Sequence, residues 1–211
     1  AGLLEQATQA LQALVTDYEI VVVDNGSDDD SIDVLKALTT EHGLPNLQVF
    51  ALTREVDLDT ASCAGIENAL GDFVAVMDPL QHDIGVLGSM LERATRGCDI
   101  VFAANQHRAA QRRAHRSAYR VLAGLYKAVT GIHLEREAPQ YRVLSRRVAN
   151  FILQHAQPSV VYRHLASTRG FVREVLEYRS VPAGRRAKHL GDSIDRGILP
   201  GVLTKVQESR A

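Results

Sequence analysis

The stretch that most constrains this chain is Tyr18-Glu-Ile-Val-Val-Val-Asp24-Asn25-Gly26-Ser27-Asp28-Asp29. A short run of β-branched apolar residues stops abruptly at acidic and small polar ones. Such a run is the pattern of a strand buried on both faces of a parallel sheet. The polar residues after it read as a strand-to-helix loop at the carboxyl end of that strand, where open α/β sheets bind ligands. A carboxylate, an amide, a glycine and a hydroxyl in succession suit a nucleoside grip. The same residues also suit an ordinary βα turn, with Ser27 or Asp28 as a helix N-cap.

The remainder of the chain repeats the pattern. Residues 2–16 carry Leu3, Leu4, Ala7, Leu11 and Leu14 at helical spacing. A helix is expected from Ser31 to about Glu41, a strand over Leu47–Leu52, and a helix over Thr60–Leu70. Phe73–Met77 is a third buried strand, and it too ends in an aspartate, Asp78. Next come a loop over 79–83, a helix over 84–96 and a strand over Asp99–Ala104. Strands alternating with helices predict a parallel sheet covered on both faces. In such a sheet Asp24 and Asp78 lie along one edge and face a common crevice.

After Ala104 the composition changes. Residues 107–120 are strongly basic. At about 100° per residue, Arg112, Arg116, Arg120 and Lys127 fall within an arc of about 80°, opposite Ala118, Leu122, Leu125 and Val129. The segment 106–130 therefore reads as an amphipathic helix with a basic stripe. Gln140–Leu144 reads as a short strand, Ser145 as the cap of a helix carrying Val148, Phe151 and Ile152, residues 160–169 as helical, and Val172–Tyr178 as a strand. Residues 179–190 hold Pro182, Gly184 and several basic side chains and are expected to be a mobile basic loop. Residues 191–207 read as a weak helix interrupted by Pro200.

Composition narrows the function classes. In 211 residues, 45% are hydrophobic, 23% are charged and the net charge is -1, so there is room for one α/β domain with its own core and no global pull toward nucleic acid. The two cysteines, Cys63 and Cys98, have no metal-ligand spacing and fit a reducing compartment. No run reaches the roughly 18 apolar residues of a membrane span, and the first residues lack the pattern of a signal peptide. A cytoplasmic chain, able to lie peripherally on the inner face of a membrane, is the expectation. Neither GxxxxGK[ST] nor GxGxxG occurs, which excludes the common phosphate loops of ATPases and dehydrogenases.

The residues Tyr18–Asp29 resemble the YEIVVVDDGSTD motif of family-2 glycosyltransferases with the GT-A fold. Ala64–Asp78 resembles that family's AG...A.GD..V.MDAD segment. Pro79-Leu-Gln-His82 keeps part of the LQHP found in its polyprenyl-phosphate branch, Gln140–Arg146 resembles GFRLLSR, and Ala183-Gly184 with Lys188 resembles AGESK. The resemblance runs in family order over roughly residues 10–200. It implies a three-layer GT-A sandwich with a mainly parallel central sheet, spanning residues 1–211 as one domain. It also implies sugar transfer from a UDP- or GDP-linked donor to a polyprenyl phosphate or another membrane-linked acceptor. Carried over residue by residue, Asp24 would contact the base or ribose, with Asn25, Gly26 and Ser27 shaping the pocket. Asp78, assisted by Gln81, would hold a divalent metal, Mg²⁺ or Mn²⁺, on the diphosphate. Arg142 would bind phosphate beside the reaction centre, Arg146 would assist it, and Lys188 would close over the donor. The basic stripe would meet the lipid phosphate or an anionic membrane surface.

The chain departs from the family at several edge positions. The first strand with its YNE motif is not found ahead of residue 2. DAD is replaced by Asp78-Pro79-Leu80, RNFGK by Arg54–Leu58, GSR by Ala103-Ala-Asn105, and GF by Gln140-Tyr141. These losses leave a second reading open, a catalytically inactive glycosyltransferase-like binding or scaffold protein. A nucleotidyltransferase shares the sheet but lacks a matching opening loop here.

Overall fold

A computed structural model describes residues 2–78, 81–106 and 139–179, and the backbone of 202–206. The basic stripe after Gln106, the loop from 180 to 190 and Lys188 lie outside the described residues.

The elements follow the hydrophobic pattern closely. They are α1 (Gly2–Leu14), β1 (Ile20–Asp24), α2 (Ser31–Leu38), β2 (Leu47–Ala51), α3 (Leu58–Asn68), β3 (Phe73–Met77), a 3₁₀ turn (Ile84–Val86) running into α4 (Leu87–Thr95), β4 (Ile100–Asn105), β5 (Arg142–Ser145), α5 (Arg146–Leu153), α6 (Pro158–Arg163), β6 (Arg173–Tyr178) and β7 (Val202–Val206). The strands form one seven-stranded sheet in the order β2-β1-β7-β3-β5-β4-β6. β1 is parallel to β2, and β4 to β6. β7 is antiparallel to both β1 and β3, and β5 to both β3 and β4. Hence β1, β2, β3, β4 and β6 point the same way, as their sequence pattern predicts, while β5 and β7 are reversed insertions that make the sheet mixed.

Period-two alternation sorts the strand residues onto two faces. Ile20, Val22, Ala75, Met77, Val101 and Val143 pack beneath α1 and α4, against Leu11, Leu87 and Met90. Val21, Val23, Val74, Val76, Phe102 and Leu144 pack beneath α3, α5 and α6, against Ile66, Ile152 and Tyr162. Both faces of β1 and β3 are therefore covered, which is why these strands are unbroken apolar runs. The result is the expected α/β three-layer sandwich.

Two local expectations change. Ser145 does precede α5, but its hydroxyl makes no cap bond to the helix; it donates to Asp99 Oδ1 at 3.3 Å. The weak helix expected over 191–207 contains a strand at 202–206. Val202-Leu-Thr-Lys-Val206 is rich in β-branched residues, and it lies between the two most buried strands. Pairing on both sides outweighs a marginal helical period.

Candidate functional site

The candidate site lies at the carboxyl edge of the parallel strands. β1 ends in Asp24, which is 0% exposed. Its carboxylate accepts from Ser27 N at 3.1 Å and from the Ser27 hydroxyl in a short bond. The loop is thus wound back on the strand end, so Ser27 holds Asp24 rather than capping α2; the α2 N-cap is Asp30, with no side-chain bond. The turn requires Gly26. It has φ +73, and a Cβ there would meet the Arg54 carbonyl carbon and the Glu55 nitrogen at 2.6 Å. Those are backbone atoms that cannot swing aside. Asn25 completes the junction: its Nδ2 donates to Val56 O at 2.8 Å, and Val56 N donates to its Oδ1 at 3.0 Å. Leu52 N donates to Asp24 O at 2.9 Å, carrying the β1–β2 pairing past the end of β2.

The second carboxylate, Asp78, comes directly after β3 and is also buried. Val22 and Met77 both lie opposite Val202. Asp24 and Asp78 therefore share one edge, with β7 between their strands, about 10 Å apart at the ordinary strand spacing. Asp78 opens a tight turn. Its carbonyl accepts from Gln81 N at 3.1 Å and His82 N at 2.9 Å. Its own N–H donates to His82 Nδ1 at 2.9 Å, which leaves the ring proton of neutral His82 on Nε2. His82 stacks on Tyr141, with centroids 4.9 Å apart and planes 9° from parallel, and Tyr178 meets Tyr141 edge-on. Burial pushes the Tyr141 phenol up, so it stays neutral. Sequence reasoning missed this stack, although His82 and Tyr141 each stand beside a residue it named.

Arg142 reaches the same edge, opposite Val76 and Phe102, but it is turned inward and only 1% exposed. The guanidinium lies over Tyr162, 4.0 Å from the ring centroid, and 5.6 Å from that of Phe102. It donates to Tyr162 O at 2.7 Å, Pro139 O at 3.2 Å and Gln140 Oε1 at 3.4 Å. Gln140 donates in turn to Asp59 at 3.3 Å. Asp59 receives Arg163 Nε at 2.5 Å, and Asp57 receives Arg163 Nη2 at 3.1 Å. This chain of polar contacts fastens α6 to the start of α3. Arg142, expected to bind phosphate, directs three of its five N–H donors to protein carbonyls and an amide beneath α6.

Arg146 is not at this edge at all. β5 runs antiparallel to β3, with Ser145 opposite Phe73. Its far end therefore carries Arg146 to the amino edge of the parallel strands, where Nε donates to Gly71 O at 2.6 Å and Nη2 bonds the same carbonyl. Burial lowers its pKa. Arg146, expected to assist at phosphate, thus lies at the opposite end of β5 from Arg142. Glu19, the acid of the Tyr-Glu pair, also serves the amino edge, accepting from Leu70 N at 2.7 Å and Gln48 Nε2 at 3.0 Å.

Among the described residues no three His, Cys, Asp or Glu side chains gather as a metal cage. Asp83 caps the 3₁₀ turn, accepting from Gly85 N at 2.9 Å. Asp78 brings one carboxylate to this turn, with Gln81 three residues on. That donor set fits Mg²⁺ or Mn²⁺ held jointly with substrate phosphates and water, since such ions are often bound through one or two carboxylates. A cysteine nucleophile is excluded at Cys63: burial, then Asp59, pushes its thiol up to about 12. Among the described residues no helix is long and apolar enough to cross a membrane.

The profile of Glycosyl transferase family 2 matches residues 1–178. The chain is 27% identical over 192 residues to the undecaprenyl-phosphate 4-deoxy-4-formamido-L-arabinose transferase of Enterobacter sp. (strain 638), covering 90% of this chain and 57% of that one. It is 27% identical over 168 residues to the uncharacterized glycosyltransferase YkcC of Bacillus subtilis (strain 168), covering 76% and 50%. It is 25% identical over 163 residues to the prophage bactoprenol glucosyl transferase homolog of Escherichia coli (strain K12), covering 77% and 53%. The chain spans about half the length of the curated relatives it matches. Matched over most of its length and built as an α/β sandwich with paired carboxylates at one sheet edge, the chain belongs to glycosyl transferase family 2.

Proposed function

We propose that this chain binds a nucleotide-sugar, UDP- or GDP-linked, and transfers its sugar to a polyprenyl phosphate at a membrane surface. The observation that carries the reading is the pair of buried carboxylates, Asp24 and Asp78, on one sheet edge beside the glycine turn. Asp24 keeps acceptor capacity beyond its two bonds from Ser27. Relatives named for undecaprenyl phosphate and bactoprenol support the acceptor class.

In this reading Asp24 holds ribose or base, and Asp78, with Gln81, holds a divalent ion. That ion would neutralise charge developing on the departing diphosphate. The bond from the sugar's anomeric carbon to the diphosphate breaks, with its electron pair leaving on the nucleoside diphosphate. A new bond forms to a phosphate oxygen of the acceptor. That oxygen is already ionised, so no strong general base is required, and positioning and charge neutralisation remain the protein's task. Lys188 and the basic segment 106–130 are proposed to meet donor and membrane phosphates. The chain would then work peripherally on the cytoplasmic face.

The burial of Arg142 favours a second reading, a nucleotide-sugar-binding protein without turnover. Transfer of labelled sugar from UDP- or GDP-sugars to undecaprenyl phosphate in anionic vesicles separates the two. Asp78→Asn is expected to lower turnover by about 10²–10³-fold without shifting the melting temperature by more than a few degrees. Turnover that survives Asp78→Asn would remove Asp78 from the mechanism. No turnover in the unsubstituted chain, with binding intact, would favour the second reading.

A further inference from the structure

The side chain of Asn25 points into the neighbouring loop. It pairs with both backbone groups of Val56, donating to the carbonyl and accepting from the N–H. This is how one strand residue pairs with another, made here by an amide side chain. An aspartate in the same place could accept from Val56 N but would set a second acceptor against Val56 O. The two-way pairing with Val56 therefore requires the amide. Three further contacts fix the same segment. The Gly26 α-carbon lies against the Arg54–Glu55 peptide. Asp57 caps α3, accepting from Thr60 N at 3.1 Å and from the Thr60 hydroxyl at 2.7 Å. Arg163 of α6 reaches both Asp57 and Asp59.

We infer that Asn25 is a positioning residue: it locks Val56 so that the Arg54–Asp57 segment stands, before any ligand arrives, as the second wall of the nucleoside pocket beside Asp24–Ser27. The inference rests on the nucleotide-sugar reading of this edge and adds how the pocket is held. β1 and β2 are adjacent and parallel, so their carboxyl-end loops are neighbours. The bond from Leu52 N to Asp24 O makes them continuous. Fixing such a wall in advance removes an ordering cost from binding. Asn25 acts at one remove from the ligand, and its loss is expected to weaken the nucleoside half of the grip and spare the diphosphate half.

The test uses the full chain, Asn25→Asp and Asn25→Ala, with two readouts. The first is amide hydrogen exchange of residues 54–58 without ligand. The second is titration with UDP and GDP and, separately, with inorganic pyrophosphate, all with Mn²⁺. In the unsubstituted chain the Val56 amide is protected and one nucleotide binds. Both substitutions are expected to speed Val56 exchange and weaken that nucleotide on the order of tenfold, the equivalent of one lost net hydrogen bond, with pyrophosphate affinity unchanged. Unchanged Val56 exchange would overturn the clamp. Faster exchange with unchanged nucleotide affinity, or an equal loss for pyrophosphate, would overturn its role as a nucleoside wall. A protected Val56 amide in an unsubstituted chain that binds neither nucleotide would overturn the nucleotide reading itself, and this inference with it.

Discussion

Truncation after residue 200 is expected to abolish cooperative folding. β7 is not a peripheral strand. It pairs through Val202–Val206 with all of β3, and through Val202–Thr204 with Ile20–Val22 of β1. Each ladder hydrogen bond contributes roughly 0.5–1.5 kcal/mol net, and a whole domain holds about 5–15 kcal/mol. Removing the strand therefore takes away much of the margin. It also splits the sheet into β2-β1 and β3-β5-β4-β6 and exposes two flat apolar edges, which invite edge-to-edge association. Circular dichroism on heating should show no sigmoidal transition for the truncated chain, and size exclusion should show aggregate. A truncated monomer melting within about 5 °C of the parent would contradict the central position of β7, since a shift that small corresponds to only about 1–2.5 kcal/mol in a chain of this size.

The second large effect is at Arg142. Arg142→Ala is expected to cost about 3–5 kcal/mol, a core-sized loss. The guanidinium fills the space between Phe102 and Tyr162 and satisfies the carbonyls of Tyr162 and Pro139. Its removal leaves a cavity and buried acceptors without donors. Arg142→Lys should recover part of the loss: it restores the charge but not the planar fork that serves three acceptors at once. Urea denaturation would measure both. A loss below about 1 kcal/mol for Arg142→Ala, with a raised KM for donor or acceptor, would return Arg142 to the phosphate-binding role.

These two sites also show where sequence reading stops. β1 and β3 were legible because strands buried on both faces must be apolar throughout, and the aspartates at their ends mark where the apolar runs stop. The direction of β5 was not legible. Three residues separate Arg142 from Arg146 in either orientation, yet antiparallel pairing sends Arg146 to the amino end of the parallel strands. The inward turn of Arg142 depends on where α6 packs, a contact with Tyr162 at a separation of 20 residues. β7 was hidden because its β-branched residues form only a five-residue run beside a weak helical period, and its pairing with β1 and β3 is long-range. The role of Asn25 was hidden for a similar reason, since its partner is 31 residues away. Ser27, by contrast, acts within its own turn, folding back on Asp24, and the motif shows it directly.

The central claim is that the carboxyl edge of the sheet grips a nucleotide-sugar between Asp24 and Asp78. Isothermal titration of the full chain with UDP- and GDP-sugars, with and without Mn²⁺, tests it most directly. Saturable one-to-one binding of one nucleotide class, strengthened by Mn²⁺ and weakened on the order of tenfold or more by Asp78→Asn, is the expected result. Absence of binding to either class, or binding indifferent to Asp78→Asn, would contradict a nucleotide-sugar site at this edge.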